Sequence, residues 1–409
     1  MKVVPIAVVA DVTLGKMLQP TRKSDDERLL PYLRAAHVQP HGRLDLSVES
    51  NEMWFSDQER TMLDLRAGDV VVVEGGAVGR GAYLSEDMPG WGFQNALLRL
   101  RARDGADGRF ISYCLQSAVY SGEIEAICTA VSIAHFTAEK VGRFRIPDHD
   151  HTTQRAIAEY LDVETGEIDA TIGKLDELAE TFRHRATELI TRLAFGLAPK
   201  HIRNATDAHS PLSGIPEHWE RTKFGYDFTE SAERNSDDPP GPLLSISEYR
   251  GVELNTRTEG QQASLDVSKY RVVRPGQLAA NMMWLNHGGL GVSSLTGYIS
   301  PDYKAFWISD RFEPRYVHHL FRSSRYIDYF AAIATGVRPN AQRVTKTVLG
   351  ATPVPLPPLD EQVRIADELD DATARVDAML AKVAELKSLL LERRAALVTD
   401  VVTGRKEVA

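Results

Sequence analysis

Cysteine is nearly absent. The two in 409 residues, Cys114 and Cys128, are too few for a disulfide framework or a thiolate metal cage, so both are expected as reduced, buried thiols. Long hydrophobic runs are absent too. No stretch approaches the ~18 apolar residues needed to span a bilayer. Val3–Ala10 is closed at once by Asp11, and is read as a first β-strand rather than a leader. At 43% hydrophobic and 26% charged residues, neither wholesale disorder nor a membrane bundle fits. A cytoplasmic protein without a membrane partner is expected, with more than one domain at roughly 100–200 residues each.

Catalytic signatures are scarce as well. Glu74-Gly75-Gly76-Ala77-Val78-Gly79 suggests a phosphate cradle, but no GK[ST] follows and a hairpin turn is the better reading. Asp238-Pro239-Pro240-Gly241 approaches the loop of a DNA aminomethyltransferase, yet Gly241 stands where an aromatic must stack on a flipped base. Pro147-Asp148 has no neighbouring carboxylates to complete a nuclease metal site, and the histidines are too scattered for zinc. A self-contained DNA-modifying enzyme is therefore a minor alternative, as is a coiled-coil scaffold that reads no DNA.

The net charge of −9 is unevenly distributed. Residues 147–198 hold 5 basic against 11 acidic side chains, and 355–409 hold 8 against 11. Within 304–346 the balance reverses, to eight basic and three acidic. Overall acidity thus leaves room for a nucleic-acid face.

The two acidic segments are copies of each other. Residues 147–178 lie over 355–386 without a gap, at an offset of 208 that continues to the end of each segment. Gln154/Gln362, Ile157/Ile365, Leu161/Leu369, Asp162/Asp370, Asp169/Asp377, Leu178/Leu386 and Gly196/Gly404 are among the identities. Ile157, Leu161, Ile168, Leu175, Phe182 and Leu189 follow a three-four spacing, as do Ile365, Leu369, Val376, Val383, Leu390 and Leu397. Each copy reads as a helix of about 40 residues, roughly 60 Å long. Asp360-Glu361 mark a start, and Gly196 and Gly404 mark stops. One narrow apolar seam per helix calls for a partner, the simplest being the other copy.

The segments between repeat more faintly. Residues 65–80 resemble 273–292, and 109–120 resemble 315–326, each read as a short amphipathic helix. The expected fold is α+β: two β-rich domains with short helices, alternating with two long helices that pair as an antiparallel coiled coil. The expected boundaries are 1–146, 147–198 for the first long helix, a linker at 199–213, 214–354, and 355–409 for the second.

PLPPLDEQVRIADELD (355–370), its degenerate copy at 147–162 and GIPEHW (214–219) resemble the DNA-specificity subunits of Type I restriction-modification systems. The first half departs from that pattern, with HDHTTQ in place of PPLxEQ. The resemblance covers nearly the whole chain. It implies a non-catalytic subunit whose two target recognition domains each read one half of a split double-stranded DNA sequence. It implies that the paired helices set the spacing and dock two methyltransferase subunits, which modify adenine, and through them restriction subunits. No cofactor is expected on this chain: S-adenosylmethionine belongs to the methyltransferase subunit, ATP and Mg to the restriction subunit.

Base reading needs paired donors or acceptors, Arg for guanine and Asn or Gln for adenine. The richest stretch is the loop carrying Arg338, Asn340, Gln342 and Arg343. Its first-half equivalent offers only Ser132 and His135. Arg34, His37, Gln39, His41 and Arg43 cluster in one turn-rich segment, and Arg80 follows a glycine pair as a phosphate candidate. Asn286 and His287 occupy an extra loop, beside a Trp284 read as core. Arg322 and Arg325, with Arg315, are placed on one helix as phosphate contacts, which position without specifying.

Overall fold

The structure, a computed structural model, describes residues 2–128, 135–197, 210–235, 239–247, 250–256, 267–336 and 343–408. The chain divides into two compact units, Met1–Leu175 with Ala384–Ala409, and Asp176–Val383. In chain order the first half runs β1 (Val3–Pro5), α1 (Ile6–Val9), β2 (Ala10–Leu14), β3 (Arg28–Leu33), β4 (Asn51–Phe55), α2 (Asp57–Met62), β5 (Asp69–Val73), β6 (Gly81–Tyr83), β7 (Gly92–Phe93) and β8 (Leu97–Ala102). Then follow α3 (Gly108–Tyr120), α4 (Glu123–Cys128), α5 (Ala138–Arg143), β9 (Arg145–Pro147) and the 44-residue α6 (His151–Ala194).

The second half repeats this plan. It runs β10 (Glu220–Lys223), α7 (Phe224–Asp227), β11 (Phe228–Glu230), β12 (Leu244–Ser247), β13 (Gly251–Leu254), β14 (Arg271–Val273), β15 (Leu278–Ala280), β16 (Leu290–Val292), β17 (Gly297–Ile299) and β18 (Lys304–Ile308). Next come α8 (Pro314–Phe321), α9 (Ser324–Ile333), α10 (Lys346–Ala351), β19 (Pro353–Leu356) and α11 (Leu359–Val402), again 44 residues.

Each half opens and closes on one antiparallel pair, β1 with β9 and β10 with β19, so the start of each globule is stitched to the strand that feeds its long helix. Each also contains a four-stranded antiparallel sheet, ordered β2-β8-β5-β6 in one and β11-β18-β15-β16 in the other. The first globule adds a three-stranded sheet, β4-β3-β7; the second adds the ribbons β12-β13 and β14-β17. This is the α+β arrangement read from the sequence.

The long helices follow their three-four spacing. In the first unit Ile157 and Leu161 of α6 share a core with Val398, Val401 and Val402 of α11. In the second, Ala194 at the end of α6 shares a core with Ile365, Ala366 and Leu369 at the start of α11. Each unit therefore holds the head of one long helix beside the tail of the other, the packing of an antiparallel pair. Gly196 and Gly404, at φ +57 and +70, end the helices in the left-handed conformation that glycine adopts without a Cβ penalty.

Two local expectations are overturned. Val3–Ala10 is not one strand: the ladder with β9 runs to Ile6, whose N–H donates to the Phe144 carbonyl at 2.8 Å, and there Ile6 turns into the core to open α1. Residues 315–326 are not one helix. Arg322 caps the C-terminus of α8, and the buried Ser323, whose hydroxyl donates to the Leu320 carbonyl at 2.6 Å, takes an extended φ/ψ to cap α9. Glu74–Gly79 is the expected turn, between the paired strands β5 and β6. Cys114 and Cys128 are buried free thiols. No helix among the described residues is long and apolar enough to cross a membrane.

Candidate nucleic-acid interface

The antiparallel order of the four-stranded sheet brings four strand ends of the first globule together: the end of β2, the start of β8, the end of β5 and the start of β6. The loops leaving this edge are fastened to one another. Asn95 N–H donates to the Lys16 carbonyl at 2.9 Å, Glu74 N–H to the Ala96 carbonyl at 2.9 Å, and Phe136 N–H to the Glu74 carbonyl at 2.7 Å. The last bond recurs in the second globule 208 residues on, where Val344 N–H donates to the Met282 carbonyl at 3.0 Å. Phe136 and Val344 are thus held at equivalent edges. Ser132, Arg338, Asn340 and Gln342 lie outside the described residues. Their anchors, His135 and Arg343, are exposed. His135 pairs with Gly75, and Arg343 pairs with Thr335 through reciprocal 3.0 Å backbone bonds.

Beside Met282 the second globule presents an aromatic pair. Trp284 is 39% exposed rather than core, and the His287 ring lies 4.4 Å from it at an interplanar angle of 33°. The turn between β15 and β16 leaves no room for a core indole: Gly289 N–H bonds the Trp284 carbonyl, and Leu285 takes the buried position instead. Asn286, in the same turn, is half-buried.

Most of the basic residues around this edge answer to internal partners. Lys304 and Lys346 converge on Glu230, at 2.9 and 2.7 Å. Burial opposes ionisation of that carboxyl, but the two ammonium groups hold it at about 2. Arg311 reaches Asp227 and Glu220. Arg322 donates to the carbonyls of Ser247, Gly288 and Leu290 at 3.0–3.2 Å. Arg325 donates to Pro211 and Ser213 carbonyls at 3.2 and 2.6 Å and lies over the Phe195 ring. Of the eight basic residues in 304–346, only Arg343 is both described and exposed with no side-chain bond of this kind.

Four of the five candidates in the 34–43 cluster also have internal partners. His37 is fully buried; its Nδ1 accepts from Arg34 N–H at 3.0 Å, and burial lowers its pKa. Arg34 donates to the Glu49 carbonyl, Gln39 to the Ala36 carbonyl, and Arg80 to the Val38 carbonyl at 3.4 Å. His41 Nδ1 lies 3.0 Å from the Tyr120 hydroxyl. Arg43 is exposed.

A duplicated network ties each globule to its long helix, and it explains the identities in the repeat. Gln154 accepts from Asp107 N–H at 3.0 Å and donates to the His149 carbonyl at 2.7 Å. Gln362 accepts from Glu313 N–H at 2.9 Å and donates to the Pro357 carbonyl at 2.8 Å. Asp107 and Glu313 cap α3 and α8. Two residues on, Arg109 reaches Asp162 at 3.0 Å and Arg315 reaches Asp370 at 3.0 Å. Tyr113 and His319 complete the two carboxylates at 2.8 and 2.7 Å. Sequence reading missed this network, although the identical Gln and Asp pairs were its signal. Arg315 belongs to it rather than to a phosphate face. Among the described residues, no group of three His, Cys, Asp or Glu side chains is placed to hold a metal.

No family model matches the chain. Over 96 residues it is 31% identical to the Type I restriction enzyme EcoBI specificity subunit of Escherichia coli, and over 91 residues 29% identical to the Type I restriction enzyme StySPI specificity subunit of Salmonella potsdam. These stretches are 24% and 22% of this chain, and the chain spans 19% of the length of each of these curated relatives. A solved chain, from work on complex assembly and conformational transition of the type I R-M system, shares the fold with a TM-score of 0.61 at 17% identity, covering 98% of this chain and 97% of that one. The likeness to Type I specificity subunits read from the sequence is thus met again over 96 residues, and the fold is shared with that solved chain.

Proposed function

We propose that this chain, which has the fold and the repeat of the Type I specificity subunits, is the cytoplasmic DNA-reading subunit of a Type I restriction-modification complex. The observation that carries the reading is the doubled anchoring. Gln154 and Gln362 fasten the main helix of each globule to the head of a long helix by the same bonds. Two readers held by one pair of helices are what recognition of a two-part target needs. Each globule would read one half, through the loops rooted at His135 and Arg343, with half-sites about one helical turn, ~34 Å, apart. Phosphate contacts would set register, and base-edge contacts would supply sequence.

The chain itself would catalyse nothing. Two methyltransferase subunits, docked on the acidic outer surface of the helices, would bring S-adenosylmethionine and take the target adenine out of the stack. Restriction subunits joining them would bring ATP and Mg. Base-resolution methylation mapping in a methylation-free host, expressing this chain with its adjacent methyltransferase, tests the reading. A two-part motif with a fixed spacer, absent without this chain, is the expected result. A soluble complex that methylates no such motif would overturn it in favour of a scaffold.

A further inference from the structure

We infer that Gln94 and Asn95 read an adenine in the half-site of the first globule. The inference rests on the DNA-reading role proposed above and names residues that the loop pattern alone does not single out. Both lie in the short connection between β7 and β8, on the edge where the 74–80 turn and the root of the 129–135 loop converge.

The main chain there is held from every side. Gln94 N–H donates to the Leu33 carbonyl, Asn95 N–H to the Lys16 carbonyl, and Leu97 N–H to the Gln94 carbonyl, all at 2.8–2.9 Å. Lys16 bridges Gln94 in parallel. Gly15 crosses so closely that a Cβ on it would lie 2.2 Å from the Gln94 carbonyl oxygen. Yet neither carboxamide has a hydrogen-bond partner among the described residues, and both side chains are half-exposed. A fixed backbone presenting two unsatisfied amides is a preorganised donor–acceptor pair. A carboxamide is the group that matches adenine N6 and N7 bidentately in the major groove.

Three of the other polar candidates of this globule are already engaged. His37, Arg34 and Gln39 are bonded internally. In the second globule the register of β15 with β18 puts Ser300 and Pro301 at the equivalent place, before β18. The same position carrying different chemistry is what two readers of different half-sites require.

The test compares methylation maps and binding for the full chain with its methyltransferase. Asn95→Ala and Gln94→Ala are expected to relax one A·T position of one half-site and leave the other half-site intact. Replacing that adenine by 7-deazaadenine, which lacks the N7 acceptor, should weaken the unaltered protein on the order of 10- to 100-fold and leave the responsible Ala variant unmoved. Should an Ala variant lose all methylation, Asn95→Asp and Gln94→Glu serve instead. Their carboxylates only accept, and shift preference toward cytosine N4 at that position. Variants that keep the original motif at full strength at every position overturn the assignment. The absence of any two-part motif with the unaltered chain overturns the DNA-reading role itself.

Discussion

Arg394 of α11 donates to both carboxylate oxygens of Asp169 of α6, at 3.0 and 3.3 Å, from a site only 3% exposed. The same guanidinium reaches the Gln116 amide oxygen at 3.2 Å, the Tyr120 hydroxyl at 2.9 Å and the His41 carbonyl at 3.1 Å. One side chain thus joins both long helices to α3 and to the turn at His41. His41 is the one non-glycine among the described residues with positive φ, at +64. Such a conformation costs on the order of 1–3 kcal/mol and persists where its surroundings over-determine it, which Arg394 and Tyr120 do here.

Arg394→Met keeps the stem but leaves Asp169 and three further acceptors without their donor. Loss of one partner of a buried ion pair costs roughly 3–5 kcal/mol, and the partial exposure of Asp169 puts the expectation near the lower end. Asp169→Ala should cost at least as much, since it leaves a buried guanidinium with neutral acceptors and no counter-charge. Denaturant unfolding of the two single variants and the double variant measures the coupling, which is expected above about 1 kcal/mol. Additive losses would mean the pair holds nothing together.

Gln362 is fully buried and Gln154 nearly so, and each serves a helix cap on one side and a chain carbonyl on the other. Gln362→Met removes both services and should cost on the order of 2 kcal/mol, the penalty for stranding buried groups. Gln362→Glu should be worse despite its closer shape, because the Nε2 position faces the Arg311 and Pro357 carbonyls at 3.0 and 2.8 Å. Hydrogen exchange at Glu313 N–H is the local readout. Protection unchanged in both variants would separate the cap from the glutamine.

The long helices were legible because period and duplication agree: a three-four seam repeated at a fixed offset admits few other folds. The site was less so, because residue type does not say which way a side chain turns. His37 and Arg34 look like readers in sequence, yet one is core and the other bonds the Glu49 carbonyl. Arg322 and Arg325 stand three apart, as on one helix face, but Ser323 breaks the helix between them. A Ser followed by a new apolar period was the available signal. Arg394 lies in an otherwise apolar seam beside Arg393, which repeats Arg185, and its partners on α6, α3 and the turn at His41 come together only in the fold. Trp284 was read as core, whereas it is 39% exposed in a tight glycine-rich turn.

His318 gives the second unit an acid limit. Its Nδ1 lies 3.2 Å from Val292 N, and burial, with Arg322 and His319 beside it, outweighs Asp370 and the Val292 contact and lowers its pKa to about 3. Below pH 6.5 the unfolded chain takes up a proton that the folded chain refuses. Stability should therefore fall as pH drops from 6.5 toward 3, by at most about 1.4 kcal/mol per unit from this group. The lowered pKa of His319 acts in the same direction. His318→Asn, whose side-chain oxygen can still accept from Val292, should show a slope between pH 4 and 6 shallower by up to one proton. Identical slopes in urea titrations of both proteins would rule the imidazole out.

Arg343 and Arg325 should fail in opposite ways. Arg343→Ala removes an exposed guanidinium at the edge proposed to read bases, and should weaken site-specific binding by about 1–3 kcal/mol at one base position. Its unfolding free energy should stay within about 0.5 kcal/mol. Arg325→Ala should instead destabilise the fold, by roughly 2 kcal/mol for two stranded carbonyls and a lost ring contact. It should leave the salt dependence of binding unchanged, whereas each true phosphate contact contributes about −0.9 to the log–log slope. Trp284→Ala belongs with Arg343, since an indole 39% exposed beside His287 presents a face for a stacked or methyl contact. Binding isotherms at several salt concentrations, set beside unfolding curves, separate the two groups. A slope reduced by about one in a stable Arg325→Ala would return that residue to the phosphate face.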